Sequence, residues 1–261
     1  GETKECTITN TQKGHVIIVK NAVSNSAQDF TFNNDFGNGN PASFLLDDDS
    51  GAVGANGTLS NTRNSEVLPG TYAVSEDSVS GWKKDGAICT DGSPVSAIVV
   101  SPGEVVTCTF VNVHLATIVL VKHTIGGNGT FDFAMTGDTL ASSAQLITSG
   151  GWATSTFSNI DPDNNYSIAE TPIPAGWAKT AASCDNGDPV TNINPNTSGE
   201  VITCTFTNTK PEAQIDVTPL TATNKIGDNH VISVTVQTQN GDGVWAPVAT
   251  STTVTFSIVN S

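Results

Sequence analysis

Long apolar runs are missing from this 261-residue chain. None approaches the ~20 residues that a bilayer-spanning helix needs, and no basic-then-apolar leader stands at Gly1, so the chain is expected to begin inside something longer. Basic residues are scarce, 10 Lys and Arg against 25 Asp and Glu. Phosphate recognition needs a clustered cationic footprint, and the pair Lys83-Lys84 is the nearest approach to one; nucleic acid and an anionic membrane are excluded as expected partners. The histidines are scattered and no CxxC or HxxxH pair occurs, which leaves no metal-ligand spacing. GxSxG, HExxH, a glycine-rich phosphate loop ahead of a helix and a repeated His/Asp pair are absent as well, so no enzyme is expected. No long segment carries a 3.6-residue apolar period with start and stop signals.

What is present is a composition of short Val-, Ile- and Thr-rich runs separated by Gly, Pro, Asn and Ser, with 24 Gly and 12 Pro. That pattern predicts an all-β chain long enough for two or three sandwiches with their own cores. The net charge of −15 comes from few bases rather than from acidic blocks, and its plain consequence is solubility and weak self-association.

The strongest signal is internal repetition. Thr7 to Asn10 (TITN) returns as Thr109 to Asn112 (TFVN) and as Thr205 to Asn208 (TFTN), each directly after a cysteine: Cys6, Cys108 and Cys204. HVIIVK at His15 to Lys20 answers TIVLVK at Thr117 to Lys122, and GTYAVSE at Gly70 to Glu76 answers NYSIAE at Asn165 to Glu170. Trp82 precedes Cys89 as Trp177 precedes Cys184. The predicted organisation is therefore the last strand of a preceding repeat at 1–13, sandwiches at 14–115 and 116–210, and a partial third domain at 211–261. Five cysteines look odd in number until the repeat pairs Cys89 with Cys108 and Cys184 with Cys204; Cys6 remains, with its partner expected upstream. Disulfides imply an oxidising compartment.

Residues two apart in a strand share a face. Tyr72, Val74 and Glu76 then lie together, as do Tyr166, Ile168 and Glu170. Cys108, Phe110 and Asn112 form one face, and Cys204, Phe206 and Asn208 another. Lys20 falls with Val16 and Ile18, and Lys122 with Ile118 and Leu120. Each repeat is expected to bury a lysine, a glutamate and an asparagine. Unpaired, these would cost several kcal/mol, so they should meet.

With these residues placed, the two units resemble the B-type repeats of collagen adhesins, the prealbumin-like domains of Gram-positive pilins and other prokaryotic surface proteins. That family carries a lysine near the end of its first strand, an asparagine in its last, and an E-box of the form YxxxExxxPxGY. Here the E-box reads Tyr72-x3-Glu76 followed by Gly81-Trp82, and Tyr166-x3-Glu170-x3-Pro174-x-Gly176-Trp177. Tryptophan replaces the final tyrosine in both, and the first lacks the proline. The resemblance implies tandem Ig-like or prealbumin-like sandwiches arranged as a rod. It also implies spontaneous amide formation between Lys20 and Asn112 with Glu76 as proton relay, and between Lys122 and Asn208 with Glu170. The alternative is a buried ion pair hydrogen-bonded to asparagine and unreacted. Residues from IDVTP onward, with HVISVTV and VTFSIVN and a Gly241-Asp-Gly243 turn, resemble the start of a bacterial Ig-like domain of the invasin and intimin stalk type.

Asp47-Asp48-Asp49 and the Asp161 to Asn165 run offer hard oxygen ligands to Ca²⁺, but loop Asp and Asn more commonly bond their own backbone; no cofactor is expected. Sequons at Asn56, Asn128, Asn165 and Asn196 fall in predicted turns or loop edges and are candidate glycan acceptors. Trp152 and Trp245, in loop contexts, are the tryptophans expected to be exposed. The function these features support is a non-enzymatic extracellular stalk, fibre or surface-layer component whose partners are adjacent repeats, further copies or the rest of a longer parent chain. The alternatives are an adhesin for a protein or glycan, and a filament subunit that donates Gly1 to Asn10 as a strand.

Overall fold

The chain is all-β. A computed structural model describes residues 1–23, 26–48, 60–218, 227, 231–239 and 245–248 and, among them, no helix; none is therefore long and apolar enough to cross a membrane. Gly1 to Lys13 pair with no described strand.

The first repeat is built from β1 (Gly14–Val23), β2 (Ser26–Asn34), β3 (Ser43–Asp48), β4 (Thr62–Val67), β5 (Gly70–Tyr72), β6 (Val74–Glu76), β7 (Trp82–Cys89), β8 (Ile98–Val100) and β9 (Val105–His114). One sheet runs β4-β1-β9-β7, a second β3-β2-β6, and β5 pairs with β8. The first strand thus lies beside the last, and the two are parallel, with Lys20 opposite Phe110 and Ala22 opposite Asn112. The alternation in β1 holds along its length: Val16, Ile18, Lys20 and Ala22 are buried while the residues between them are half-buried or exposed. Phe30 and Phe32 of β2 face Phe110 of β9 across the sandwich, Phe32 meeting Phe110 edge-to-face at 5.1 Å.

The second repeat reuses this plan with β10 (Ala116–Ile125), β11 (Thr130–Thr136), β12 (Ser143–Ile147), β13 (Trp152–Ile160), β14 (Ser167–Glu170), β15 (Ala178–Cys184) and β16 (Val201–Thr209), in sheets β13-β10-β16-β15 and β12-β11-β14. Phe133 meets Phe206 edge-to-face at 5.2 Å, the counterpart of Phe32 on Phe110. The C-terminal residues form β17 (Ala213–Thr218), β18 (Ser233–Gln239) and β19 (Trp245–Pro247), an antiparallel sheet. The Gly241 to Gly243 turn and the VTFSIVN run lie outside the described residues.

The structure corrects three local readings. GTYAVSE is not one strand: it breaks at Ala73, whose N–H is taken by Asp35 Oδ1 at 2.8 Å, so that β5 joins β8 while β6 joins β2. The inward alternation survives the switch because Val74 and Glu76 stay buried and Tyr72 half-buried. Asp47 and Asp48 are not loop residues but the buried end of β3, and Asp49 lies outside the described residues. Trp152 and Trp245 each open a strand rather than sit in a loop; Trp152 is 55% exposed, whereas Trp245 is half-buried.

Candidate functional site

Two buried polar triads interrupt the two cores at equivalent places. In the second repeat β10 carries Lys122 inward, β14 brings Glu170 and β16 brings Asn208, all of them buried. Lys122 Nζ donates to Asn208 Oδ1 at 2.6 Å and to the Phe206 carbonyl at 3.2 Å, and lies 3.4 Å from Glu170 Oε2. Asn208 Nδ2 donates to Glu170 Oε1 at 2.5 Å. The three groups close a ring in which glutamate touches both the amine and the side-chain amide. Phe131 covers it, with its ring centroid 4.4 Å from Lys122 Nζ.

In the first repeat Lys20 Nζ stands 3.4 Å from Glu76 Oε1 and donates to the Phe110 carbonyl at 3.3 Å and the Asn21 carbonyl at 3.2 Å. Asn112 lies beside the Glu76 carboxylate, and its own Oδ1 is buried with no hydrogen-bond partner. Phe30 covers this lysine at 4.2 Å. An acceptor left bare in a core costs roughly 1–3 kcal/mol, and a protonated Glu76 or the lysine amine is the donor within the triad that could serve it.

Burial drives the electrostatics. It pulls the Lys20 and Lys122 amines below the ordinary lysine value, only partly opposed by the glutamate beside each, and it pushes the Glu76 carboxyl up against the opposing pull of Lys20. At the Lys20–Glu76 pair both directions move the balance from the ion pair toward the neutral amine with the neutral acid. A neutral amine is a nucleophile; a carboxyl touching amine and amide can pass a proton between them.

Residues 12–110 and residues 118–210 each match a family model described as a prealbumin-like fold domain. The chain therefore carries two prealbumin-like domains of the SpaA type. Among solved structures it is similar to the major pilin of Streptococcus pyogenes, at 16% identity over 77% of this chain and 99% of the pilin with a TM-score of 0.30. It is also similar to the TIE protein of Bacillus anthracis, at 15% over 89% and 42% with 0.32, and to the shaft pilin SpaA of Lactobacillus rhamnosus GG, at 11% over 74% and 98% with 0.24. No curated protein matches the sequence.

Within each prealbumin-like domain a disulfide stands on the same last strand as the asparagine. Cys89 is bonded to Cys108 and Cys184 to Cys204, each pair directly opposite across antiparallel strands, closing separations of 19 and 20 residues. Cys6 is exposed and unbonded in this chain. Asp161 Oδ1 accepts the Asp163 N–H at 3.0 Å, which is the turn role of an acidic loop residue. Asn128, Asn165 and Asn196 are exposed, and Asn56 lies outside the described residues.

The sequence reading passed over the aromatic cover. Phe30 and Phe131 roof the two lysines, and Trp82 and Trp177 pack edge-on against those phenylalanines, both at 5.3 Å. The tryptophans that replace the E-box tyrosine thus form a second layer over the amine. The signal was available in the repeat itself, because Phe30-x-Phe32 and Phe131-x-Phe133 follow the two lysines at nearly equal intervals. Asp48 was missed in another way: read as a loop residue bonding its own backbone, it instead takes the Ala22 N–H of β1 at 2.9 Å and lends its charge to hold some of the Lys20 proton. The second domain has Thr148 in the matching place, paired with Thr124 at 3.2 Å.

Proposed function

We propose that this chain is a non-enzymatic, load-bearing segment of an extracellular surface structure, a stalk or fibre, whose prealbumin-like domains each seal themselves with one Lys–Asn amide. The observation that carries this reading is the Lys122–Glu170–Asn208 ring, buried and closed, with the amine 2.6 Å from the amide oxygen, and its near-repeat at Lys20, Glu76 and Asn112. Neutral Lys122 Nζ attacks the Asn208 side-chain carbonyl carbon, forming the new C–N bond. Glu170 takes the proton released by the attacking nitrogen and delivers it to Nδ2. The C–Nδ2 bond breaks and ammonia leaves, so amine and primary amide become a secondary amide plus ammonia. Lys20, Asn112 and Glu76 do the same in the first domain. Each bond joins the first strand of its domain to the last.

The disulfides support export to an oxidising space, and the pilins among the similar folds are what such domains build elsewhere. Partners in this reading are neighbouring repeats and further copies, along domain boundaries near 14–115 and 116–210. The test is the intact mass of the denatured chain before and after reduction, with peptide mapping. Loss of two ammonias, mapped to Lys20–Asn112 and Lys122–Asn208, supports the reading. A mass lacking only the hydrogens of the disulfides reduces both lysines to buried ion-pair partners and sinks it.

A further inference from the structure

Two glycine-rich turns in the second domain are used by nothing described so far. Gly126-Gly127-Asn128-Gly129 follows β10, and Gly150-Gly151 precedes β13. Gly127 and Gly150 stand at φ 141° and 60°, and a Cβ on either would meet no atom within 4 Å. Crowding therefore does not demand glycine at these two positions; the turns they make leave bare backbone facing a depression of about 310 Å³ lined by Thr124, Gly127, Asn128, Gly150 and Gly151. Asn128 Oδ1 accepts the Gly151 N–H at 3.0 Å, which fixes the amide and leaves its Nδ2 donor without a partner among the described residues.

The next residue along is Trp152. Its indole is 55% exposed and stacked on His123, with centroids 3.9 Å apart and planes 14° from parallel. One face rests on imidazole. This is not a requirement of the fold: counting from the two lysines, the first domain has Asn21 where the second has His123.

From this juxtaposition we infer that the second domain carries a carbohydrate site, with Trp152 as the stacking platform for a neutral pyranose and the Asn128 amide and glycine backbone as its polar contacts. The chemistry selects the class. No charged side chain lines the depression, so a phosphate or carboxylate ligand would find no counter-charge there, on a chain whose net charge is −15. A pyranose offers an apolar C–H face to an aromatic ring and hydroxyls to amide and backbone groups. Pockets of this size are within the small-ligand range. A glycan attached at Asn128 would exclude the ligand, so the two roles of that residue are alternatives.

The site is independent of the amide bonds and is tested apart from them. The full chain, expressed without glycosylation, is applied to an array of immobilised oligosaccharides ending in glucose, galactose, mannose or N-acetylhexosamine, and the best member is then titrated in solution. Saturable binding is expected. Trp152→Ala should weaken it about tenfold or more, the scale of losing one aromatic anchor; His123→Ala should weaken it less, Trp152→Tyr should retain part of it, and Ile147→Ala, an exposed apolar control, should leave it unchanged. The thermal unfolding midpoint of Trp152→Ala should stay close to that of the parent, which shows the domain intact. Binding to no array member, or binding that Trp152→Ala, Trp152→Tyr and His123→Ala leave unaltered, overturns the inference.

Discussion

Cys108 and Asn112 stand on the same inward face of β9 and look to opposite neighbours: Cys108 is bonded to Cys89 on β7, while Asn112 lies in the triad with Lys20 on β1. Cys204 and Asn208 repeat the arrangement on β16. The last strand of each domain is held from both sides by different chemistry, and the two fastenings can be removed separately.

Glu170→Gln keeps the size of the relay and removes its capacity to take a proton. The expected outcome is a chain heavier than the parent by one ammonia, with the Lys122–Asn208 peptide pair unlinked and the first-domain pair unaffected. Intact mass with peptide mapping checks it, since the triads belong to separate domains.

Lys20→Met abolishes any cross-link in the first domain and leaves Glu76 and Asn112 buried without the amine beside them. A buried polar group that loses its partner costs about 1–3 kcal/mol. Guanidinium unfolding should show that loss, and adding Glu76→Gln should recover part of it.

Asn112→Ala keeps Lys20 and Glu76 unreacted, and the signs of their shifts then set a pH profile. A carboxyl pushed up by folding holds its proton more tightly when native, so stability falls as pH rises from the ordinary carboxylate range through the Glu76 value. An amine pulled down binds its proton less tightly when native, so stability rises between the Lys20 value and the ordinary lysine value. Urea unfolding across pH should show both limbs in this variant. In a parent whose Lys20 is already an amide, the alkaline limb should be missing.

Asp48→Asn removes the extra carboxylate near Lys20 while keeping an acceptor for the Ala22 N–H. The amine should lose its proton more readily and the first domain should release ammonia faster after synthesis, with the second domain unchanged; time-resolved mass measurement of freshly made protein reads both.

The double variant Cys89→Ser with Cys108→Ser should destabilise the first domain by about 3 kcal/mol, the expectation for a closed loop of this length. Its ammonia count should stay that of the parent, because the Lys20 triad is reached from β1 and not from β7.

Much of this was legible in the sequence because strand periodicity and repetition reinforce one another. Lys20, Glu76 and Asn112 were placed inward by their apolar neighbours at two-residue spacing, and the second copy repeated the vote. The cysteine pairs followed from the same register. What escaped depended on three-dimensional switching. Ala73 carries no mark of a strand changing sheets, since the signal is an acceptor on distant Asp35. Asp47 and Asp48 read as solvent-loving because composition cannot tell that β3 ends against β1. The roof over each lysine was hidden for the same reason: Phe30 and Trp82 meet only when two sheets close.

The parallel pairing of β1 with β9 fixes how a pull is felt. The chain enters the first domain at the start of one strand and leaves at the far end of its neighbour, so tension slides the two past each other and loads every rung of the ladder at once rather than peeling them singly. Were Lys20 joined to Asn112 as proposed, the residues between them would never enter the path of the force. Such a domain would yield no slack: it would behave as a strut of fixed length rather than a spring, and a surface built from it would pass a sudden tug to its anchor undamped.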